Sequence, residues 1–193
     1  SANAFLIADL SSGETIVEKN AEFKLPIASL AKLMTGITAH ELVYLGRPIR
    51  ITKPIVSENP NTFQAQTGES YTGFELLYPL LMQSSNDTAD ILASLMGMET
   101  FVRNMNIKSL SIGMHDTHFA DASGISAQNT STAKDIAKLM YYIYHKRRFL
   151  LEISKGTVFE YAGIAKIGNT LDIKALKNFN EFAEQQNLIG MKN

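Results

Sequence analysis

Residues 26–35 read Pro-Ile-Ala-Ser-Leu-Ala-Lys-Leu-Met-Thr, and they predict the start of a buried helix that runs to about Tyr44. Pro26 is expected just before or inside the first turn of this helix, where the amide hydrogen that proline lacks would have no partner. Apolar residues follow on more than one side of the helix, which is typical of a helix in a protein core. Ser29 and Lys32 are nevertheless three residues apart and therefore share one face. One chemical reason for a lysine on a buried helix is that it takes the proton of a serine nucleophile.

The composition is that of a folded domain of ordinary polarity. Hydrophobic residues make up 45% of the 193 residues and charged residues 19%, which excludes a disordered chain and allows one well-packed domain. A net charge of −1 argues against nucleic acid as a partner, because phosphate binding needs a basic surface. No apolar run has membrane-spanning length. The absence of cysteine excludes thiol chemistry and is compatible with an extracytoplasmic compartment.

The elements on either side of residues 26–35 predict a mixed α/β fold. Ala4–Leu10 and Thr15–Glu18 flank a Ser-Ser-Gly-Glu turn and predict a β-hairpin. Thr72 to Glu75 has the pattern of a capping box and begins a helix that ends near Gln83. The remaining predicted elements are helices at about Thr88–Met96, Thr100–Leu110 and Ser131–Arg147, a surface loop at Ser57–Ser70, and short strands at Arg50–Thr52, Thr157–Tyr161 and Ile164–Ile167.

The order of these elements, with strands first, helices in the middle and strands again, favours an antiparallel sheet flanked by helices with a helical insertion. The second run of strands stops with the sequence at residue 193. The sheet is therefore expected to be incomplete at the C-terminus, and residues 1–193 are interpreted as a single, partial domain.

A second polar motif, Ser84-Ser85-Asn86, lies at a corner between two predicted helices, where side chains can enter a cleft. It can equally be the N-cap of the second helix, with Asn86 or Asp87 capping. The Ser-x-Asn pattern of this motif and the Ser-x-x-Lys pattern of Ser29 and Lys32 each occur twice in the chain. The Ser-x-Asn at Ser57 precedes a proline in a loop, and the Ser-x-x-Lys at Ser131 is explained by a helix cap and a solvated helix face. Neither motif alone identifies a site.

Other catalytic patterns are absent from the sequence or badly spaced. There is no Gly-x-Ser-x-Gly elbow and no glycine-rich phosphate loop. His40 lies about eleven residues beyond Ser29, roughly 16 Å along a helix, and is too far away to be its base. One polar loop contains His115, Asp116, His118 and Asp121. Two histidines in such a loop are more often surface residues than ligands, so no metal and no cofactor are expected.

The order and spacing of the two motifs together identify a protein family more specifically than either motif alone. The Ser29 motif is followed after about fifty residues by the Ser84 motif, the order known for penicillin-recognising serine enzymes. Residues 26–35 closely resemble the nucleophile segment of the D-alanyl-D-alanine carboxypeptidases, which are low-molecular-mass penicillin-binding proteins. Residues 80–89 resemble the second motif of that family, and residues 119–125 and 129–135 its middle loop and following helix. The resemblance covers essentially residues 4–193 and implies the β-lactamase/transpeptidase-like fold.

The resemblance implies an acyl transfer on peptidoglycan stem peptides that end in D-Ala-D-Ala, outside the cytoplasm of a bacterium. Ser29 would be the nucleophile, Lys32 its base and Ser84 a proton relay, while Asn86 and Lys192 would bind substrate. A useful base has a pKa of about 7–8, so Lys32 would need burial and a second cation, which Lys192 would supply. β-Lactams would acylate the same serine.

The sequence departs from the family at its end. Where the family has Lys-Thr-Gly, it reads Lys192-Asn193 and stops. Several strands, a second β domain and the membrane anchor of the family would follow, so the sequence is interpreted as a truncated catalytic domain. One oxyanion-hole donor would be lost with those strands, and such a loss costs about 10²–10³ in rate. Slow or absent hydrolysis is therefore expected. The alternatives are a catalytically impaired relative that binds peptidoglycan, β-lactam or a partner, a β-lactamase, and a peptidoglycan endopeptidase.

Overall fold

The computed structural model describes residues 2–55, 63–156 and 176–180. Six strands, one 3₁₀ turn and six helices follow one another in these residues: β1 Phe5–Ala8, β2 Thr15–Lys19, β3 Leu25–Pro26, the 3₁₀ turn Ala28–Leu30, α1 Ala31–Leu42, β4 Pro48–Arg50, β5 Ser70–Thr72, α2 Gly73–Met82, α3 Asn86–Ser94, α4 Met98–Ser111, β6 Thr130–Ser131, α5 Ala133–Lys146 and α6 Phe149–Lys155.

The strands of the described residues form three antiparallel pairs. β1 pairs with β2, which confirms the predicted hairpin, and Phe5 lies opposite Lys19. β4 pairs with β5, and β3 pairs with β6 across about one hundred residues of sequence. The strands predicted at 157–161 and 164–167 lie outside the described residues.

Helix α1 is the centre of the core. Every residue from Ala31 to Ala39 is buried, and α2, α3 and α4 pack around the helix. The small side chains of α1 allow this close approach, since the side chains of Leu80 and Leu150 lie within van der Waals distance of the Gly36 position. The sequence correctly predicts a buried helix, because a helix that is apolar on all sides has no face that suits water.

The helix begins later than predicted. Pro26 lies in β3, just before the first turn, and Ser29 lies in the 3₁₀ turn, so that α1 proper begins at Ala31 and ends at Leu42, two residues before the predicted end at about Tyr44. The physical reason is tertiary. Leu25 and Pro26 pair with β6, the Ile27 N–H donates to the Asn129 carbonyl at 3.0 Å, and this pairing keeps Leu25 and Pro26 in a strand.

Side-chain caps mark the starts of α2 and α3. The capping box of α2 is confirmed: the Thr72 hydroxyl accepts from the Glu75 N–H at 3.2 Å, and the Glu75 carboxylate accepts from the Thr72 N–H at 2.6 Å. Ser85, rather than Asn86 or Asp87, caps α3 by accepting from the Thr88 N–H. Helix α3 therefore starts at Asn86, two residues earlier than predicted, and its cap leaves the Asn86 side chain available.

Two further predictions need correction. Helix α5 is capped by Thr132 and not by Ser131, which lies in β6 and is buried. The predicted surface loop at 57–70 is partly internal, because Phe63 and Ala65 are buried and Ala65 forms a β-bridge with Ile55. No helix in the described ranges has both the length and the apolar character to cross a membrane.

Candidate active site

The Lys32 side chain is the centre of the site. It is fully buried in the first turn of α1. Its Nζ lies 3.2 Å from the Ser29 Oγ, 2.7 Å from the Asn86 Oδ1 and 2.5 Å from the Ser123 carbonyl oxygen. The structure therefore brings together three residues that the sequence predicts for the site, and it adds one that the sequence does not, Ser123.

These contacts orient a neutral Lys32 amine toward Ser29. A neutral amine has two N–H donors and one lone pair. The amide oxygen of Asn86 and the carbonyl oxygen of Ser123 can only accept, so they take the two donors. The third direction points at the Ser29 hydroxyl: the charged ammonium donates to the Ser29 oxygen along it, and in the neutral amine it holds the lone pair, toward which the hydroxyl can donate. The geometry thus suits proton transfer from Ser29 Oγ to Lys32 Nζ.

Burial supplies the electrostatics that such a base needs. It lowers the pKa of Lys32 from 10.5 to about 8, because a charged ammonium loses its hydration in the core. The carboxylates of Asp121 and Asp90 act in the opposite direction and keep the pKa of Lys32 from falling further.

Ser29 is placed by a strained turn. The preceding residue, Ala28, has a φ of +44°, in the left-handed region that costs a residue with a Cβ about 1 kcal/mol or more. This turn leaves Ser29 partly exposed directly above the buried Lys32. The hydroxyl is therefore accessible to a ligand while its basic neighbour is shielded from water.

Gly124 closes the site from the opposite side. Its φ is +84°, and a Cβ on it would lie 2.0 Å from the Ala28 carbonyl oxygen and 3.1 Å from the Ser29 nitrogen. Only glycine allows the two backbones to approach so closely. The sequence offers Gly124 as part of the family resemblance, but nothing in the pattern predicts that it touches the 3₁₀ turn that carries Ser29.

The corner before α3 brings only one of its two predicted residues into contact with Lys32. Asn86 bonds to the lysine, as described above. The Oγ of Ser84 is buried and has no hydrogen-bond partner among the described residues, and the φ of Ser84 is +58°. A buried hydroxyl without a partner at a strained residue is unusual and often marks a functional site.

The loop at residues 121–126 contains the site residues that sequence reasoning missed. The Asp121 carboxylate accepts from the backbone N–H groups of Ser123, Gly124 and Ser126, and this folding presents the Ser123 carbonyl to Lys32. Aspartate near serine and glycine predicts a tight turn from sequence. It does not predict which buried group the turn meets, and the sequence includes Asp121 only in the segment 119–125 that resembles the middle loop of the family and in a polar loop where no metal site is expected.

The second Ser-x-x-Lys behaves as a structural motif. Lys134 forms a half-exposed ion pair with Glu22 at 2.8 Å, and the buried Ser131 hydroxyl shares a hydrogen bond with Thr117. Ser131 and Lys134 make no hydrogen bond with each other. Lys192 and the Ser57 motif lie outside the described residues.

Comparisons with known proteins identify the family of this chain. A family model described as D-alanyl-D-alanine carboxypeptidase, peptidase S11, matches residues 1–192. A D-alanyl-D-alanine endopeptidase from Pseudomonas aeruginosa is 31% identical over 139 residues, which cover 70% of this chain and 45% of that protein. The D-alanyl-D-alanine carboxypeptidase DacB2 from Mycobacterium tuberculosis is 30% identical, with 70% of this chain and 48% of that protein covered. The chain thus spans about half the length of these relatives.

Solved structures give the same result for the fold. Penicillin-binding protein D2 from Listeria monocytogenes, in its cefotaxime-bound form, is 26% identical with a TM-score of 0.75, and the match covers 99% of this chain and 78% of that one. The fold is therefore the mixed α/β penicillin-binding fold that the sequence predicts, and the chain belongs to the D-alanyl-D-alanine carboxypeptidase family, peptidase S11.

Proposed function

We propose that this chain carries the acyl-transfer centre of a serine D-Ala-D-Ala carboxypeptidase that trims peptidoglycan stem peptides outside the bacterial cytoplasm. One observation carries the proposal. A fully buried lysine has its amine directed at a partly exposed serine hydroxyl by two acceptors from distant parts of the chain. A lysine with no chemical role would only destabilise the fold by such burial, because removing its ammonium group from water costs free energy.

In the proposed reaction, the Ser29 Oγ bonds to the carbonyl carbon between the two terminal D-alanines, and its proton passes to the neutral Lys32 Nζ. The C–N bond then breaks, the proton passes to the leaving nitrogen, and D-alanine departs. The Ser84 hydroxyl is the proposed relay for that proton. Water then attacks the acyl-enzyme, which releases the shortened peptide and restores the Ser29 hydroxyl.

The pKa of Lys32 makes this step feasible near neutral pH. With a pKa of 10.5, roughly 0.03% of a lysine is neutral at pH 7, whereas with a pKa of about 8 the neutral fraction is roughly 10%. Burial therefore raises the concentration of the reactive form about 300-fold. We propose that Lys192 adds a second cation and Asn86 a hydrogen bond to the bound substrate.

The same centre would accept β-lactams, as the cefotaxime-bound relative suggests. A β-lactam carbonyl meets the same nucleophile, and its ring opening replaces the departure of D-alanine. Labelling by a fluorescent penicillin is therefore the direct test of the proposal.

The experiment labels the 193-residue chain with fluorescent penicillin and locates the adduct by peptide mass spectrometry. We expect the label on Ser29, and its loss in Ser29→Ala. Ser131→Ala is the matched control, since it removes the serine of the other Ser-x-x-Lys and should leave labelling intact. Absence of label on the wild type, or labelling that survives Ser29→Ala, would contradict the proposal.

The names of the relatives favour one second candidate. A protein that is 31% identical to this chain is named an endopeptidase, so we also propose a test of cleavage between cross-linked stem peptides. A cross-linked muropeptide dimer and a monomeric pentapeptide are incubated with the chain in parallel, and products are separated by liquid chromatography. Release of D-alanine from the pentapeptide supports a carboxypeptidase, and conversion of dimer to monomers supports an endopeptidase.

A further inference from the structure

The loop at residues 121–126 is organised by a single carboxylate. The Asp121 Oδ1 accepts from the Ser123 N–H at 2.9 Å, the Ser123 hydroxyl at 3.2 Å and the Gly124 N–H at 2.5 Å. Its Oδ2 accepts from the Ser126 N–H at 2.7 Å. Burial opposes the charged form of Asp121, but the Ser126 and Gly124 N–H groups outweigh it and lower the pKa of Asp121. The carboxylate is therefore ionised at neutral pH.

Three successive residues of this loop contact α1 or the 3₁₀ turn that precedes it. The Ala122 carbonyl accepts from the buried Thr35 hydroxyl at 2.6 Å, and the Ser123 carbonyl accepts from Lys32 Nζ. Gly124 lies against the Ala28–Ser29 peptide. A shift of the loop would therefore move an acceptor of the lysine and a wall of the nucleophile turn together.

The Asp121 charge also acts on Lys32 through space. The charged groups whose fields reach the ammonium in the described part of the chain are Asp121 from the loop and Asp90 from α3. Both favour the protonated form of Lys32, against the effect of burial. Asp90 differs from Asp121 in that none of the loop's hydrogen bonds ends on its side chain, which makes it a natural comparison.

We propose that Asp121 is a positioning residue for the Ser29–Lys32 pair, because its carboxylate folds the loop that orients the amine and its charge balances the ammonium. This inference rests on the proposed function of that pair. Asp121 touches neither Ser29 nor Lys32 and acts through Ser123 and Gly124. It therefore differs from the residues that react or bind substrate.

The variant Asp121→Asn distinguishes a residue that positions the Ser29–Lys32 pair from one that only stabilises the loop. The amide keeps one acceptor oxygen, but its NH₂ group faces an N–H donor that the carboxylate satisfied, so the loop is held less well. The negative charge is lost as well, so less opposes the effect of burial, which lowers the pKa of Lys32. Asp90→Asn, the matched control, removes a charge near Lys32 and leaves the loop bonds intact.

The test measures the second-order rate of acylation by a fluorescent penicillin between pH 5.5 and 9.5. For Asp121→Asn we expect the plateau of the pH–rate profile at high pH to be lower by about 10- to 100-fold. We also expect the rising limb of that profile to move to lower pH by on the order of half a unit to one unit. For Asp90→Asn we expect the limb to move in the same direction with the plateau within about twofold of wild type. A limb that stays in place in Asp121→Asn would overturn the inference, whatever happens to the plateau.

A measurement without substrate keeps the inference distinct from the proposed function. The pKa of Lys32 is followed by NMR in chain labelled with ¹³C at lysine Cε, with Lys32→Met used to assign the signal. We expect a lower pKa of Lys32 in Asp121→Asn than in wild type, and an equal pKa would overturn the inference. If the wild type is not acylated at all, the proposed function fails, and this titration still decides the role of Asp121.

Discussion

Gly124→Ala tests whether the close approach of the loop to the nucleophile turn stabilises the fold. The new Cβ would lie 2.0 Å from the Ala28 carbonyl oxygen and 2.5 Å from the Ala28 carbonyl carbon. Both are backbone atoms, so no flexible side chain can move aside, and the two segments must separate by roughly 1 Å. The variant therefore combines a conformational penalty with a steric one.

The two penalties can be estimated separately. A φ of +84° costs alanine about 1 kcal/mol relative to glycine. Forcing a methyl group into a closely packed contact costs about 1–3 kcal/mol more. We therefore expect the free energy of unfolding to fall by about 2–4 kcal/mol, measured by urea denaturation followed by circular dichroism.

Gly113→Ala is the matched control for the steric part. Gly113 has a φ of +83°, but a Cβ there would meet only the Lys138 Cδ at 3.9 Å, an ordinary contact. We expect a loss of about 1 kcal/mol from the backbone conformation alone. Equal losses in the two variants would refute the reasoning, because they would show that the loop and the Ser29 turn separate at no cost.

Four further predictions concern the site and the helix starts. The acylation rate should rise with pH through a midpoint near 8, because only neutral Lys32 accepts the proton; a rate profile from pH 6 to 10 checks this. Stability should also rise with pH between about 8 and 10.5, because the unfolded chain binds a proton there that folded Lys32 has released; urea midpoints across that window check the sign. Asn86→Ala should slow acylation by penicillin by about 10²-fold, because Lys32 loses a hydrogen-bond acceptor. Ser85→Ala is its control: it should lower the free energy of unfolding by about 1 kcal/mol, because α3 loses its cap, and leave the acylation rate nearly unchanged. Thr132→Ala should lower the stability by about 1 kcal/mol in urea denaturation, because the Asp135 N–H loses its acceptor, and an unchanged stability would speak against Thr132 as the cap of α5.

Local chemistry made part of the fold predictable from sequence. The hairpin between β1 and β2 and the capping box of α2 depend on residues within a few positions of one another, and both were predicted correctly. The start of α1 was not, because Leu25 and Pro26 pair with residues about one hundred positions away. A helix-start signal in the sequence cannot show that a distant strand competes for the same backbone.

The contacts of the candidate site also differ in how far the sequence predicts them. Ser29 and Lys32 lie one turn apart, so their contact follows from spacing alone. The contact of Asn86 with Lys32 could be anticipated only from the order of the motifs. Ser123 contributes a backbone carbonyl, which every residue has, so no side-chain pattern could have indicated it.

The pairing of β3 with β6 has a consequence for how the protein folds. Leu25 lies opposite Ser131 and Pro26 opposite Thr130, so two residue pairs join segments separated by roughly one hundred residues. Closing a loop of that length costs about 4 kcal/mol of chain entropy, which so short a ladder cannot offset by itself. The helices around α1 must therefore associate first and bring the ends together. We expect the amide proton of Ile27, which bonds to the Asn129 carbonyl, to exchange with solvent earlier than those of α1, because the segment that carries Ser29 should be ordered late in folding and released early in unfolding.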